Sequence, residues 1–339
     1  MYGFELVPFL RFCVQISAVI AASASLWGMF FAFKAKREKD AEIKWKWYKL
    51  AKGTLVIFGA AVSVFLAGWW ALAIFVFPLG VVAHEGVVHS LDFPRQYVQN
   101  GFNVNVFWVS VLSALYALAA IVYLAKGRSF EFFKKYSLPF FGANFVLLSV
   151  IISLSLFSGK LGMEQLVLSL HNWHSIMTLG TVIIVDSMYL YTINRQELKK
   201  VLYPIYPLMS VSIWAGLGLD FITSLLVVGG GFPDTTQFIF NQMVVVVLIL
   251  NGAMLSVRIN DKLIELVRGD KILSMGKKWT TIIQVSGSIS IISWFTITFL
   301  DFFDFTFSLW QFFAVYIFAI MCAAMVNFLI ERAFVKFAT

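Results

Sequence analysis

Stretches of about 20 residues or more with almost no charge recur along this chain, and most end in a short basic segment. A run of that length crosses the roughly 30 Å hydrocarbon core of a bilayer as one helix. The apolar stretches fall at 7–33, 53–78, 104–125, 138–157, 166–191, 203–228, 237–257, 279–300 and 309–330. Hydrophobic residues make up 60% of the chain and charged residues 13%. Soluble domains hold about 45–50% and about 25%, so a water-soluble core has no means of hiding this much apolar surface. The expectation is an all-α, polytopic integral membrane helical bundle of about nine transmembrane helices. No short-period repeat or Gly/Ser linker divides it, so residues 1–339 read as one transmembrane domain. The first span is too long for a signal-peptide core and lacks a basic stretch before it, which reads as a retained helix.

The net charge of +8 raises the question of a nucleic-acid partner, and its distribution answers it. If the loop after the first span is cytoplasmic, that side receives 23 of the 26 Lys and Arg residues; Arg11, Arg95 and Lys160 are the exceptions. This is the positive-inside bias, and it predicts an outer N-terminus and a cytoplasmic C-terminus. No basic groove with stacking aromatics is visible, so the expected partners are the lipid bilayer and other membrane subunits, not nucleic acid. The expected location is the plasma (inner) membrane of a prokaryote. Trp108, Trp173, Trp279 and Trp310 fall near predicted interfaces, as belt residues do. Residues 79–93 either extend the second span beyond Pro78 or lie along the surface.

This topology brings the histidines together. His84 and His89 follow the second span, and His171 and His174 open the fifth, so all four fall near the outer face. His171 and His174 are three apart, on one helix face, and Met177 continues it. Glu85 and His89 are four apart. If the second and fifth spans touch, the cavity offers imidazoles, Glu85 and the Met177 thioether to a cofactor or metal. Asp220 lies eight residues before the outer end of the sixth span and His174 eight residues into the fifth. Both are therefore about 12 Å deep, and Asp220 is placed to hold the distal nitrogen of His174, as carboxylates behind metal-binding histidines do. Asp186, near the inner end of the fifth span, is expected to snorkel or to pair with Arg195. Asn144, Asn251 and Asn327 read as interhelical glue.

Two bound groups suit these donors best, and zinc through Glu85 and the imidazoles is a third. A b-type haem needs axial imidazoles on facing helices and a slot between them, with Gly180, Gly216 and Gly218 allowing the macrocycle near the backbone. Copper suits imidazole and thioether together. Several other chemistries lack their motifs. HEGVVH is one residue too long for a zinc-protease HExxH, and no Walker loop, dinucleotide fingerprint, GxSxG or CxxCH occurs where it could function.

Over the fifth to seventh spans the sequence reads HSIMTLGTVIIVD, then YPLMSVSIWAGLGLDFITSLL, then MVVVVLILNGAMLSVRI with Asn251-Gly252 near its end. This resembles the small His-bearing helical-bundle membrane proteins that include the copper-resistance D-type proteins. The resemblance implies copper or haem handling at His174 or His171. The expected function is a membrane redox protein holding b-type haem near the outer face. The alternatives are a copper-binding permease and a non-catalytic scaffold subunit of a larger membrane complex.

Overall fold

The structure, a computed structural model, describes residues 6–71, 104–127, 130–154, 173–192, 195–227, 235–259, 277–300, 303 and 305–336. Among them every regular element is helical. In order these are α1 (Leu6–Arg37), α2 (Ala41–Ala71), α3 (Val104–Lys126) and α4 (Phe130–Leu154). A π-helical turn (Ile176–Gly180) then leads into α5 (Thr181–Thr192), followed by α6 (Gln196–Leu202). A 3-10 turn (Tyr203–Ile205) opens α7 (Tyr206–Val227), and α8 (Thr236–Met254) ends in a second π turn (Leu255–Ile259). The chain closes with α9 (Lys277–Leu300) and α10 (Leu309–Lys336).

Six helices among the described residues are long and apolar enough to cross a membrane: Phe9–Arg37, Ala41–Ala71, Phe130–Ser153, Glu197–Thr223, Thr236–Val257 and Leu309–Leu329. Two shorter apolar helical segments, Val111–Lys126 and Gln284–Leu300, accompany them. The protein is a multi-span membrane-embedded helical bundle. Exposed side chains such as Leu118 and Ile121 on α3, and Phe318 and Met321 on α10, are the lipid-facing surface such a bundle presents.

Helix ends differ from the sequence expectation where polar residues cap them. The charged segment after the first span is helical, not a loop, except at 38–40. The Glu38 carboxylate accepts the Lys39 and Asp40 N–H groups at 2.9 and 3.2 Å. Asp40 Oδ1 accepts the Glu42 and Ile43 N–H groups at 2.8 and 3.1 Å and so starts α2. Lys34, Lys36 and Arg37 occupy the last turn of α1, where cations suit the helix dipole. The fourth span was expected to begin at 138, yet α4 begins at Phe130 and runs through Pro139. Proline is tolerated inside membrane helices when neighbours satisfy the freed backbone.

The chain folds as two compact units: Met1–Ile184 with Ala215–Gly229, and Val185–Trp214 with Gly230–Thr339. In the first, α1 packs against α2, α4 and the Ile176–Gly180 turn. Its buried face is built from small side chains, Ala18, Ala21, Ala22, Ser23, Ala24 and Ser25, which let backbones approach closely. In the second, Phe240, Val244, Leu300, Phe312 and Tyr316 form a core between α8, α9 and α10. Polar contacts cross it. Asn251 Nδ2 donates to the Ser286 carbonyl at 2.9 Å, and the Ser286 hydroxyl donates back to Asn251 Oδ1 at 2.5 Å. Asn327 Nδ2 donates to Ser288 Oγ at 2.9 Å, and Gln237 Nε2 reaches the Leu300 and Phe303 carbonyls. Asn144 instead donates to the Phe140 carbonyl of its own helix.

Candidate histidine–carboxylate site

His174 lies at the start of a helical segment that widens at once. Ile176–Gly180 forms a π turn, a local widening often found at functional sites. A π turn displaces the backbone bonding pattern, and two hydroxyls engage the carbonyls there. Thr178 Oγ1 donates to the His174 carbonyl at 2.7 Å, and Thr181 Oγ1 lies 3.5 Å from the Ile176 carbonyl. The Thr181 oxygen also accepts the indole N–H of Trp27 on α1 at 3.1 Å.

Gly180 and Gly216 allow this turn to sit against two other helices. A Cβ on Gly180 would lie 2.5 Å from Ser23 Cβ and 3.1 Å from the Val19 carbonyl oxygen of α1. A Cβ on Gly216 of α7 would lie 2.5 Å from Thr178 Cγ2, 2.9 Å from Met177 Cβ and 3.1 Å from the His174 carbonyl oxygen. Only hydrogen fits at either position. These two glycines therefore serve helix–helix approach, with neighbouring atoms standing where a Cβ would lie. Gly218, by contrast, has nothing within 4 Å of where a Cβ would stand.

The approach at Gly216 sets the site's main distance. Asp220 is one turn further along α7, on the same face. Its Oδ1 lies 3.5 Å from His174 Nε2. The Ser175 hydroxyl is 3.4 Å from the same nitrogen. His174 is buried, at 7% exposure, and the Asp220 side chain is 16% exposed. At 3.5 Å the pair is at the long limit of hydrogen bonding, and it is an ion pair whenever the imidazole is protonated. Behind Asp220, Thr223 Oγ1 donates to the Leu219 and Asp220 carbonyls at 2.8 and 3.1 Å. Trp173, next to His174, donates its indole N–H to Ser153 Oγ at 3.3 Å and packs edge-on to Phe145.

The sequence-predicted residues divide accordingly. His174, Met177 and Asp220 come together around Gly216. His171, His84, Glu85 and His89 lie outside the described residues, as does any contact between the second and fifth spans at those positions. No group of three or more His, Cys, Asp and Glu side chains placed to hold a metal occurs among the described residues. Asp186 does not pair with Arg195, whose guanidinium lies 4.0 Å from the Tyr191 ring centroid. Cys13 and Cys322 are free thiols, half-buried in the helices. The site also uses Trp27, Ser23, Thr178 and Thr181, which sequence reasoning missed. Hydroxyls three residues apart in an apolar run carry no sign of a π turn.

The chain matches no protein-family model, no curated protein and no solved structure. The functional reading rests on the residues and their geometry.

Proposed function

We propose that this membrane-embedded bundle is a copper-handling protein whose site is built on His174, with Asp220 orienting the imidazole. The observation that carries the reading is the 3.5 Å contact of His174 Nε2 with Asp220 Oδ1 between two apolar helices. Ionisable side chains are costly inside a membrane and concentrate where ions, protons or electrons are handled. A carboxylate on one ring nitrogen is the arrangement that orients metal-binding histidines and raises their basicity. The residues that would hold the ion are His174, His171 and Met177, with His84, Glu85 and His89 as further donors from the 79–93 segment. Imidazole and thioether are soft enough to select copper. Bound copper supplies one-electron chemistry. The chain's own part is to exclude water with apolar helices, to orient His174 through Asp220, and to hold the turn through Thr178 and Thr181.

The close packing at Gly180 and Gly216 favours an ion over a b-type haem at this position. The wider topology in this reading is nine spans in a prokaryotic plasma membrane, N-terminus outside and C-terminus cytoplasmic. His174 and Asp220 then lie in the outer half of the bilayer.

The test is metal analysis of protein purified in detergent without chelator, with oxidised and dithionite-reduced absorption spectra of the same sample. Stoichiometric copper is expected. Asp220→Asn is expected to weaken copper about 10- to 100-fold in a chelator competition, the usual cost of losing such a carboxylate. A Soret band with sharp reduced α and β bands would replace copper with haem. Neither copper nor haem would leave the His–Asp pair as packing in a scaffold subunit.

A further inference from the structure

A second feature of the first unit lies far along α1 from His174. α2 has 31 residues. At about 1.5 Å per residue it is about 46 Å long, against a hydrocarbon core of about 30 Å. The surplus matches its basic first third. Segment 34–52 holds eight basic and three acidic residues, and the backbone is helical on both sides of 38–40, so they sit on a helical hairpin.

The start of α4 joins this hairpin. Trp45 meets Phe130 with ring centroids 4.2 Å apart, and the Tyr48 hydroxyl is 3.4 Å from the Lys134 carbonyl. Lys49 Nζ stands 5.3 Å from the Trp45 ring centroid, and Lys134 Nζ 4.6 Å from that of Phe130. Two ammoniums from two different spans thus flank one aromatic pair. Trp45 is 41% exposed, Ile43 37% and Tyr136 38%. Acidic groups are also present. Glu131 pairs with Lys134 at 2.8 Å, and Glu42 with Lys46 at 2.5 Å, so the excess of positive charge here is partly offset.

We propose that Lys49, Trp45, Phe130 and Lys134 form a binding site for the headgroup of an anionic phospholipid of the surrounding bilayer. The charge selects a phosphate, and basic clusters beside membrane helices take anionic lipid in this way. The exposed indole and apolar side chains at the same level select a lipid over a free anion. They give the glycerol and upper acyl chain an amphipathic surface, which dissolved phosphate has no use for.

The experiment is native mass spectrometry of the full chain in detergent, titrated with phosphatidylglycerol or phosphatidylcholine. The wild type is expected to prefer phosphatidylglycerol by about tenfold or more. K49Q/K134Q is expected to weaken phosphatidylglycerol about thirtyfold, the equivalent of about 1 kcal/mol per lysine. K49R/K134R should retain it. K36Q/K39Q, which removes the same charge at the hairpin tip, should change it less than about threefold, since those two lysines lie outside the Trp45–Phe130 cluster. Equal losses in the two Gln pairs would show a general field and overturn the site. Competition by inorganic phosphate at concentrations comparable to the lipid would overturn the lipid assignment. Should K49Q/K134Q not fold, a wild-type ratio near one between the two lipids overturns the proposal by itself.

Discussion

At the scale of single residues, Gly216 matters as much to the candidate site as the two ionisable groups. It contributes no chemistry. It lets α7 come close enough to the His174 backbone for Asp220, one turn on, to reach the imidazole. A methyl at Gly216 would stand 2.5 Å from Thr178 Cγ2 and 2.9 Å from Met177 Cβ, neither at the end of a long flexible chain. Gly216→Ala is therefore expected to destabilise by about 1–3 kcal/mol, the usual cost of overpacking, and, in the proposed copper reading, to weaken copper binding by separating His174 from Asp220. Gly218→Ala, two residues on in open space, is the control and should be near neutral. Thermal unfolding in detergent measures both. Equal midpoints for the two variants would mean that α7 has room to move. Residue identity made His174 and Asp220 legible as candidates, because ionisable groups stand out in an apolar sequence. Gly216 was legible only as a small residue that lets something approach the backbone; that the neighbour is the turn bearing Met177 and Thr178 came from the structure.

At the scale of elements, the π turn is the part with least warning in the sequence. TLGT reads as ordinary apolar helix, and the hydropathy pattern of a membrane span has no polar face to betray a shift in helical register. What holds the turn is tertiary: Ser23 against Gly180, and the Trp27 indole donating to Thr181 at 3.1 Å. Thr181→Val leaves a buried indole N–H without its acceptor and is expected to cost about 1–3 kcal/mol. Trp27→Phe removes the donor but also packing volume. In a double-mutant cycle, Thr181→Val should therefore cost much less in the Trp27→Phe background. Additive effects would show that the bond carries no net stability. The ends of α1 and α2 teach a related lesson. Charge was read as the end of a span, yet Glu38 and Asp40 confine the break to three residues and the basic segment stays helical.

At the scale of the whole molecule, the prediction concerns sidedness. In the proposed nine-span topology, the positive-inside bias puts the α1–α2 turn and Lys336 on one side and Lys160 on the other. Single cysteines at Lys39, Lys336 and Lys160, in a chain with Cys13→Ala and Cys322→Ala, test this with a membrane-impermeant maleimide. Lys39→Cys and Lys336→Cys should label from the same side and Lys160→Cys from the opposite one. Labelling of Lys39→Cys and Lys336→Cys from opposite sides would mean that the span count differs by an odd number. The sequence by itself determined that the chain is helical and membrane-embedded. Each apolar run must satisfy its own backbone in lipid, and that requirement is local, so it can be read one segment at a time. Which side chains meet is not local. The distance from His174 to Asp220 depends on the closest approach of two helices, on their relative rotation, and on a π turn that shifts one of them. Steric contacts with α1 and α7 set all three, so the equal depth of His174 and Asp220 made their pairing an expectation and only the tertiary structure decided that it closes to 3.5 Å.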